Sequence, residues 1–118
     1  MSTVIKLSEK NKDFFEMVFE VVRQIPSGRV TSYGAIASYL GAKRSSRMVG
    51  WAMNASHRKS DVPAHRVVNR LGILSGKPHF GDPMEMENRL ISEGILINKD
   101  RVVDLNMVFW DPAKELTI

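Results

Sequence analysis

At 118 residues, with 43% hydrophobic and 25% charged residues, the chain is long enough to form one domain, residues 1–118, around its own apolar core. No run approaches the roughly 18 apolar residues of a membrane span, and the polar stretch Met1 to Asn11 speaks against a secretory signal, so a cytoplasmic location is expected, nucleoid-associated in a bacterium. There is no cysteine, which removes disulfides, zinc–thiolate sites and thiol nucleophiles together, and the net charge of +4 points to an anionic partner, nucleic acid first.

The first predicted element is a helix over residues 10–25. Phe14, Phe15, Val18, Phe19, Val22 and Ile25 recur at three- and four-residue spacing, with Lys12, Glu16, Glu20 and Arg23 between them. That period makes the aromatics core residues rather than a stacking platform. Pro26-Ser27-Gly28 ends the helix. Thr31 or Ser32 then caps a second helix through Gly34 to Leu40, stopped by Gly41. A third helix is expected from about Ser45 to Ala55. Helix, short glycine-bearing turn and helix form a helix-turn-helix pattern. Lys43, Arg44 and Arg47 lie on its turn and second helix, with His57-Arg58-Lys59 just beyond. This is the densest basic stretch in the chain, and its alternative reading is a solvated face.

Pro63 restricts its own φ and favours an extended Val62. The run Pro63-Ala64-His65-Arg66 therefore reads as a rigid turn feeding a buried strand, with an imidazole and a guanidinium at its mouth. Residues 65–70 and 73–74 are predicted as two short strands around Leu71-Gly72, a small hairpin or wing. Residues 75–83 read as a loop, residues 84–93 as a helix ended by Gly94, and residues 95–97 with 101–103 as a second strand pair. Phe109 and Trp110 are expected to pack the tail against the body. The fold class is thus mainly α with small β elements, a winged helix-turn-helix.

His65 can serve as a base, a hydrogen-bonded core histidine or a metal ligand. Metal is the weakest reading, since His57 and His79 have no ligand spacing to it and cysteine is absent; neither metal nor cofactor is expected. Arg47 can be a phosphate clamp, an inserted finger or a surface charge. Tyr33 can meet a phosphate through its hydroxyl or simply pack.

Residues 14–105 resemble the DNA-binding domain of the O6-alkylguanine-DNA alkyltransferases. The matching pieces keep the family's order: Ile25-Pro26-Ser27-Gly28-Arg29-Val30-Thr31-Ser32-Tyr33-Gly34, Arg47-Met48-Val49-Gly50, Ala52-Met53, Pro63-Ala64-His65-Arg66-Val67-Val68 and Glu93-Gly94. The family's active motif is Pro-Cys-His-Arg, whose cysteine takes the alkyl group. Here that position is Ala64. Only a short segment precedes the first helix, where the family has a separate N-terminal domain. Both features are similar to the alkyltransferase-like proteins, in which tryptophan or alanine replaces the cysteine. Those proteins bind alkylated guanine without repairing it and flag it for nucleotide excision repair.

The resemblance implies a role for each matching residue. Tyr33 helps rotate the target phosphate, Arg47 is the finger that fills the vacated stack, and Gly50 lets the recognition helix sit close in the minor groove. Pro63, Ala64, Arg66 and Val67 join these as DNA- and lesion-binding residues, with Lys43, Arg44, Arg58 and Lys77 as weaker phosphate contacts. His65 and Glu93 form a vestigial pair with Ala64. Ser56 stands where the family has an asparagine, Trp51 replaces a small residue, and Lys77 falls near a position that holds an aromatic or arginine over the base. The expected partners are duplex DNA carrying O6-alkylguanine and damage-recognition proteins of excision repair, met by a monomer. Three alternatives stay open: a winged-helix transcription regulator, an enzyme that uses His65 as a base with a substrate or water as nucleophile, and an engineered Cys-to-Ala alkyltransferase.

Overall fold

The computed structural model describes residues 14–41, 46–56 and 59–116. Helix α1 is described over residues 14–23. Val18, Phe19, Val22 and Ile25 are buried as their spacing requires, and Val21 joins them. Residues 10–13 of the predicted helix lie outside the described residues.

Strand β1 (Thr31–Ser32) leads directly into α2 (Tyr33–Tyr39). Of the two candidate caps it is Ser32 that acts: its hydroxyl accepts the Ala35 N–H at 3.1 Å. Gly41, at φ +75°, takes the left-handed conformation that ends the helix. Helix α3 (Ser46–Ser56) packs on α2 through Val49, Ala52 and Met53, completing the helix-turn-helix.

The Pro63 segment is a turn that feeds a buried strand, as its sequence predicts, but the strand is shorter than expected and has a different partner. Ala64–Arg66 is a 3-10 turn, closed by the Arg66 N–H to Pro63 O bond at 3.0 Å. Only Val67–Val68 (β2) is strand, and it pairs in parallel with β1, Thr31 opposite Val67 and Ser32 opposite Val68. The predicted hairpin over residues 65–74 therefore does not form. Both valines are buried, as a two-sided parallel strand demands, and β1 offers them a buried partner. Asn69 then turns the chain away, its side-chain oxygen accepting the Leu71 and Ile73 N–H groups, each at 2.9 Å.

Ile73 bridges instead to Arg101, beside the antiparallel pair β3 (Ile97–Asn98) and β4 (Arg101–Val102). These strands make the wing. The predicted loop at residues 75–83 contains a 3-10 turn, Lys77–Phe80, started by Pro78. Helix α4 (Glu85–Ser92) ends at Glu93 and Gly94, the latter at φ +88°. Two short helices, α5 (Leu105–Val108) and α6 (Pro112–Glu115), complete the chain. Trp110 is buried, and its backbone N–H reaches Val30 O at 2.7 Å, which docks the tail beside β1. Among the described residues no helix is long and apolar enough to cross a membrane.

Candidate nucleic-acid interface

The β1–β2 pairing brings the start of α2 beside the Pro63 turn, so residues far apart in sequence share one region. Ala64 is 8% exposed and His65 7%. Ala64 lines a cavity of about 320 Å³ together with Ser56, Lys59, Ser60, Val62, His79, Phe80, Glu85 and Arg89. That volume lies at the lower end of the range for sites that hold one small molecule, roughly 300–1,000 Å³. The Ala64 methyl adds an apolar patch to a wall that also carries the cations Lys59 and Arg89. Glu85 pairs with Arg89 at 2.5 Å, and the Arg89 guanidinium lies 5.8 Å from the centre of the Phe80 ring.

His65 and Glu93 are not among the residues that line this cavity. They form a clasp with Arg66. Glu93 Oε2 accepts from His65 Nε2 at 2.8 Å and from Arg66 Nη2 at 2.7 Å. Its Oε1 accepts the Gly28 N–H at 3.2 Å. Arg66 Nη1 reaches Ile25 O at 2.8 Å, so the guanidinium ties the turn after α1 to the end of α4. Gly28, at φ +85°, has the backbone that presents its N–H in this way, and a Cβ there would stand 3.4 Å from Glu93 O.

The electrostatics follow from that geometry. Burial alone would raise the Glu93 carboxyl, but the hydrogen bonds from Arg66, His65 and the Gly28 N–H overcome it and hold the group at about 2, well below 4.5. Burial pushes His65 below its ordinary 6.5, and the Glu93 contact offsets this only in part. His65 is thus a neutral ring donating Nε2–H to a carboxylate; among the described residues its Nδ1 has no hydrogen-bond partner. Both folded-state values lie below the unfolded ones, so both groups stabilise the fold at neutral pH and lose that contribution on acidification. Thermal melts should fall first below pH 6.5 as His65 is forced to charge, then again from about 4.5 towards 2 as Glu93 protonates. His65→Gln should flatten the upper step and keep the lower one; an unchanged upper step would assign it to another group.

The other residues singled out from the sequence fall in several places. Arg47 is exposed on α3, Gly50 is half-buried beside it, and Trp51 is exposed on the same helix. Tyr33 is half-buried, and its hydroxyl is hydrogen-bonded to Ser75, at the start of the loop that carries His79 and Phe80 to the cavity. Pro63 is half-buried at the turn, and Val67 is 1% exposed, its side chain in the core. The Arg66 donors are turned inward to Glu93 and Ile25. Lys77 is not among the residues that line the cavity, and it pairs with Asp100 at 2.6 Å. Ser56 is fully buried, its hydroxyl donating to Met53 O at 2.6 Å within its own helix. Lys43, Arg44 and Arg58 lie outside the described residues.

Sequence reasoning did not single out His79, Phe80, Glu85 or Arg89 as cavity residues. An aromatic inside a Gly/Pro-rich loop was the available signal for Phe80. The Glu85–Arg89 pair has the i,i+4 spacing of any solvated helix face.

A parallel two-strand seam thus lies with a helix-turn-helix and a cavity that Ser56, the last residue of the second helix, helps to line. A family model described as 6-O-methylguanine DNA methyltransferase, DNA binding domain, matches residues 13–95. The chain belongs to this family, among its alkyltransferase-like members. It is 34% identical over 104 residues to alkyltransferase-like protein 1 of Schizosaccharomyces pombe, covering 85% of this chain and 96% of that one. It is also 34% identical over 104 residues to a DNA base-flipping protein of Escherichia coli, covering 87% of this chain and 78% of the relative. Among solved structures, S. pombe Atl1 in complex with damaged DNA containing O6-carboxymethylguanine superposes with a TM-score of 0.77 at 33% identity, over 86% of this chain and 97% of that one.

Proposed function

We propose that this protein binds O6-alkylguanine in duplex DNA, takes the base out of the stack into the cavity beside Ala64, and leaves the alkyl group in place. The observation that carries this reading is Ala64 itself: an inert methyl lines a base-sized cavity at the position where the family's acceptor cysteine stands. A base inside a duplex cannot reach such a cavity without extrusion. O6-alkylation removes the guanine N1 proton and spoils its pairing, which makes this lesion the easier base to extrude. The apolar patch at Ala64 accepts the added alkyl group at about 0.8 kcal/mol per buried CH₂.

Helix α3 is the element we assign to the minor groove. A Cβ at Gly50 would meet nothing within 4 Å, so packing inside the chain does not call for glycine there. A helix-interior glycine costs about 1 kcal/mol relative to alanine, and close approach to a sugar–phosphate wall is a reason to keep it. Arg47, exposed one turn earlier, fills the space the base leaves. Tyr33 adjoins the same region through the Ser75 loop. With no acceptor on the protein, removal of the lesion falls to other proteins; we place nucleotide excision repair there, with the protein acting as a one-domain monomer that marks the site.

The chemical half of the proposal is tested by mass spectrometry after incubation with excess O6-methylguanine duplex. The wild-type mass should stay unchanged at any time. Ala64→Cys should bind the lesion and transfer weakly or not at all, because a thiol needs its pKa lowered to attack, and Ser56, where the family has an asparagine, spends its hydroxyl on Met53 O within its own helix and so leaves the geometry of the turn at residue 64 less tightly set. A methyl gain on wild type would overturn the non-enzymatic reading.

A further inference from the structure

The outward face of α3 carries a large apolar residue that the reading above leaves unused. Trp51 is 54% exposed, while Val49, Ala52 and Met53 of the same helix are buried. At 3.6 residues per turn, Arg47, Trp51 and Asn54 fall within about 60° of one another, and all three are exposed. Gly50 borders this stripe. Arg47 makes no ion pair with any described residue, so the stripe presents a guanidinium and an indole together, one turn apart.

We propose that Trp51 is a second DNA-contacting wedge, entering the minor groove about two base steps from the one that Arg47 occupies. This rests on the placement of α3 in that groove. Four residues of helix rise about 6 Å, close to two base steps of roughly 3.4 Å each, so along a helix lying in the groove the two side chains reach steps about two apart within one site. The minor groove is about 6 Å wide, which admits an indole edge-on. Its ring partly unstacks the step it meets, as apolar minor-groove wedges do. Its Nε1–H, a donor only, meets a groove floor of purine N3 and pyrimidine O2 acceptors. Loosening the steps beside the lesion lowers the work of extrusion. Because the contact is to flanking steps, it acts on damaged and undamaged duplexes alike.

The chain has two tryptophans, and Trp110 is 3% exposed, so Trp51 reports on its own surroundings. The spectrum of wild type minus that of Trp51→Phe isolates it without disturbing buried Trp110. An O6-methylguanine duplex should quench and blue-shift that difference emission and shield it from acrylamide. Trp51→Ala, a surface change whose folding is checked by circular dichroism, should weaken both duplexes by about tenfold, the size of one lost aromatic–base contact. If fluorescence anisotropy of a labelled duplex shows binding while the Trp51 emission and its acrylamide access stay unchanged, the wedge is wrong and the lesion reading stands. If neither duplex binds, both fall.

Discussion

Glu93→Ala should cause the largest loss of stability of any single change considered. The Glu93, His65 and Arg66 side chains are 12%, 9% and 17% exposed, so the clasp is largely dry. Removing the carboxylate strands the Arg66 guanidinium and leaves the His65 Nε2–H and the Gly28 N–H without their acceptor. Breaking one partner of a buried pair costs about 3–5 kcal/mol. A domain of this size has roughly 5–15 kcal/mol in all, so the melting temperature should fall by about 10–20 °C. Glu93→Gln keeps the shape and some hydrogen bonding, and should lose less. A loss under about 1 kcal/mol for Glu93→Ala would mean that water screens the clasp as it screens a surface pair.

Arg47→Ala should do the reverse. The side chain is exposed, so the melting temperature should hold. Affinity for O6-methylguanine duplex should drop by about tenfold to a hundredfold, from a stacking contribution of roughly 1–3 kcal/mol. A fluorescent base analogue next to the lesion should lose the signal of the extruded state as well. Unchanged affinity and unchanged extrusion would remove Arg47 from the finger position. The pair of variants separates the two parts of the molecule: the clasp ties the turn beside the cavity to α4, and α3 is the proposed DNA face.

Legibility from sequence followed the physics of each segment. The α1 stripe obeyed its helical period because one face of that helix has a single apolar surface to meet. Helices α2 and α3 were legible from Ser32, Gly41 and the spacing of Val49, Ala52 and Met53. The hairpin at residues 65–74 was misread because β-branched residues state a strand without stating its partner; Thr31–Ser32, over thirty residues upstream, won by burying both faces of Val67–Val68. The His65 carboxylate partner could not be found by spacing, since Glu93 lies 28 residues away, and only the family resemblance pointed to it. The cavity wall from His79 to Arg89 was hidden because a loop aromatic and a helical ion pair take their meaning from where the chain sets them. Trp51 could be placed on the outward face only once α3 was seen to bury Val49, Ala52 and Met53.

The most direct measurement is a titration of two labelled duplexes that differ only in guanine or O6-methylguanine, at moderate salt and again at higher salt. The lesion duplex should bind more tightly, and both affinities should weaken as salt rises, since phosphate contacts release counterions. Equal affinity for the two duplexes, or tight binding to one undamaged sequence above others, would contradict lesion recognition and favour a sequence-reading regulator.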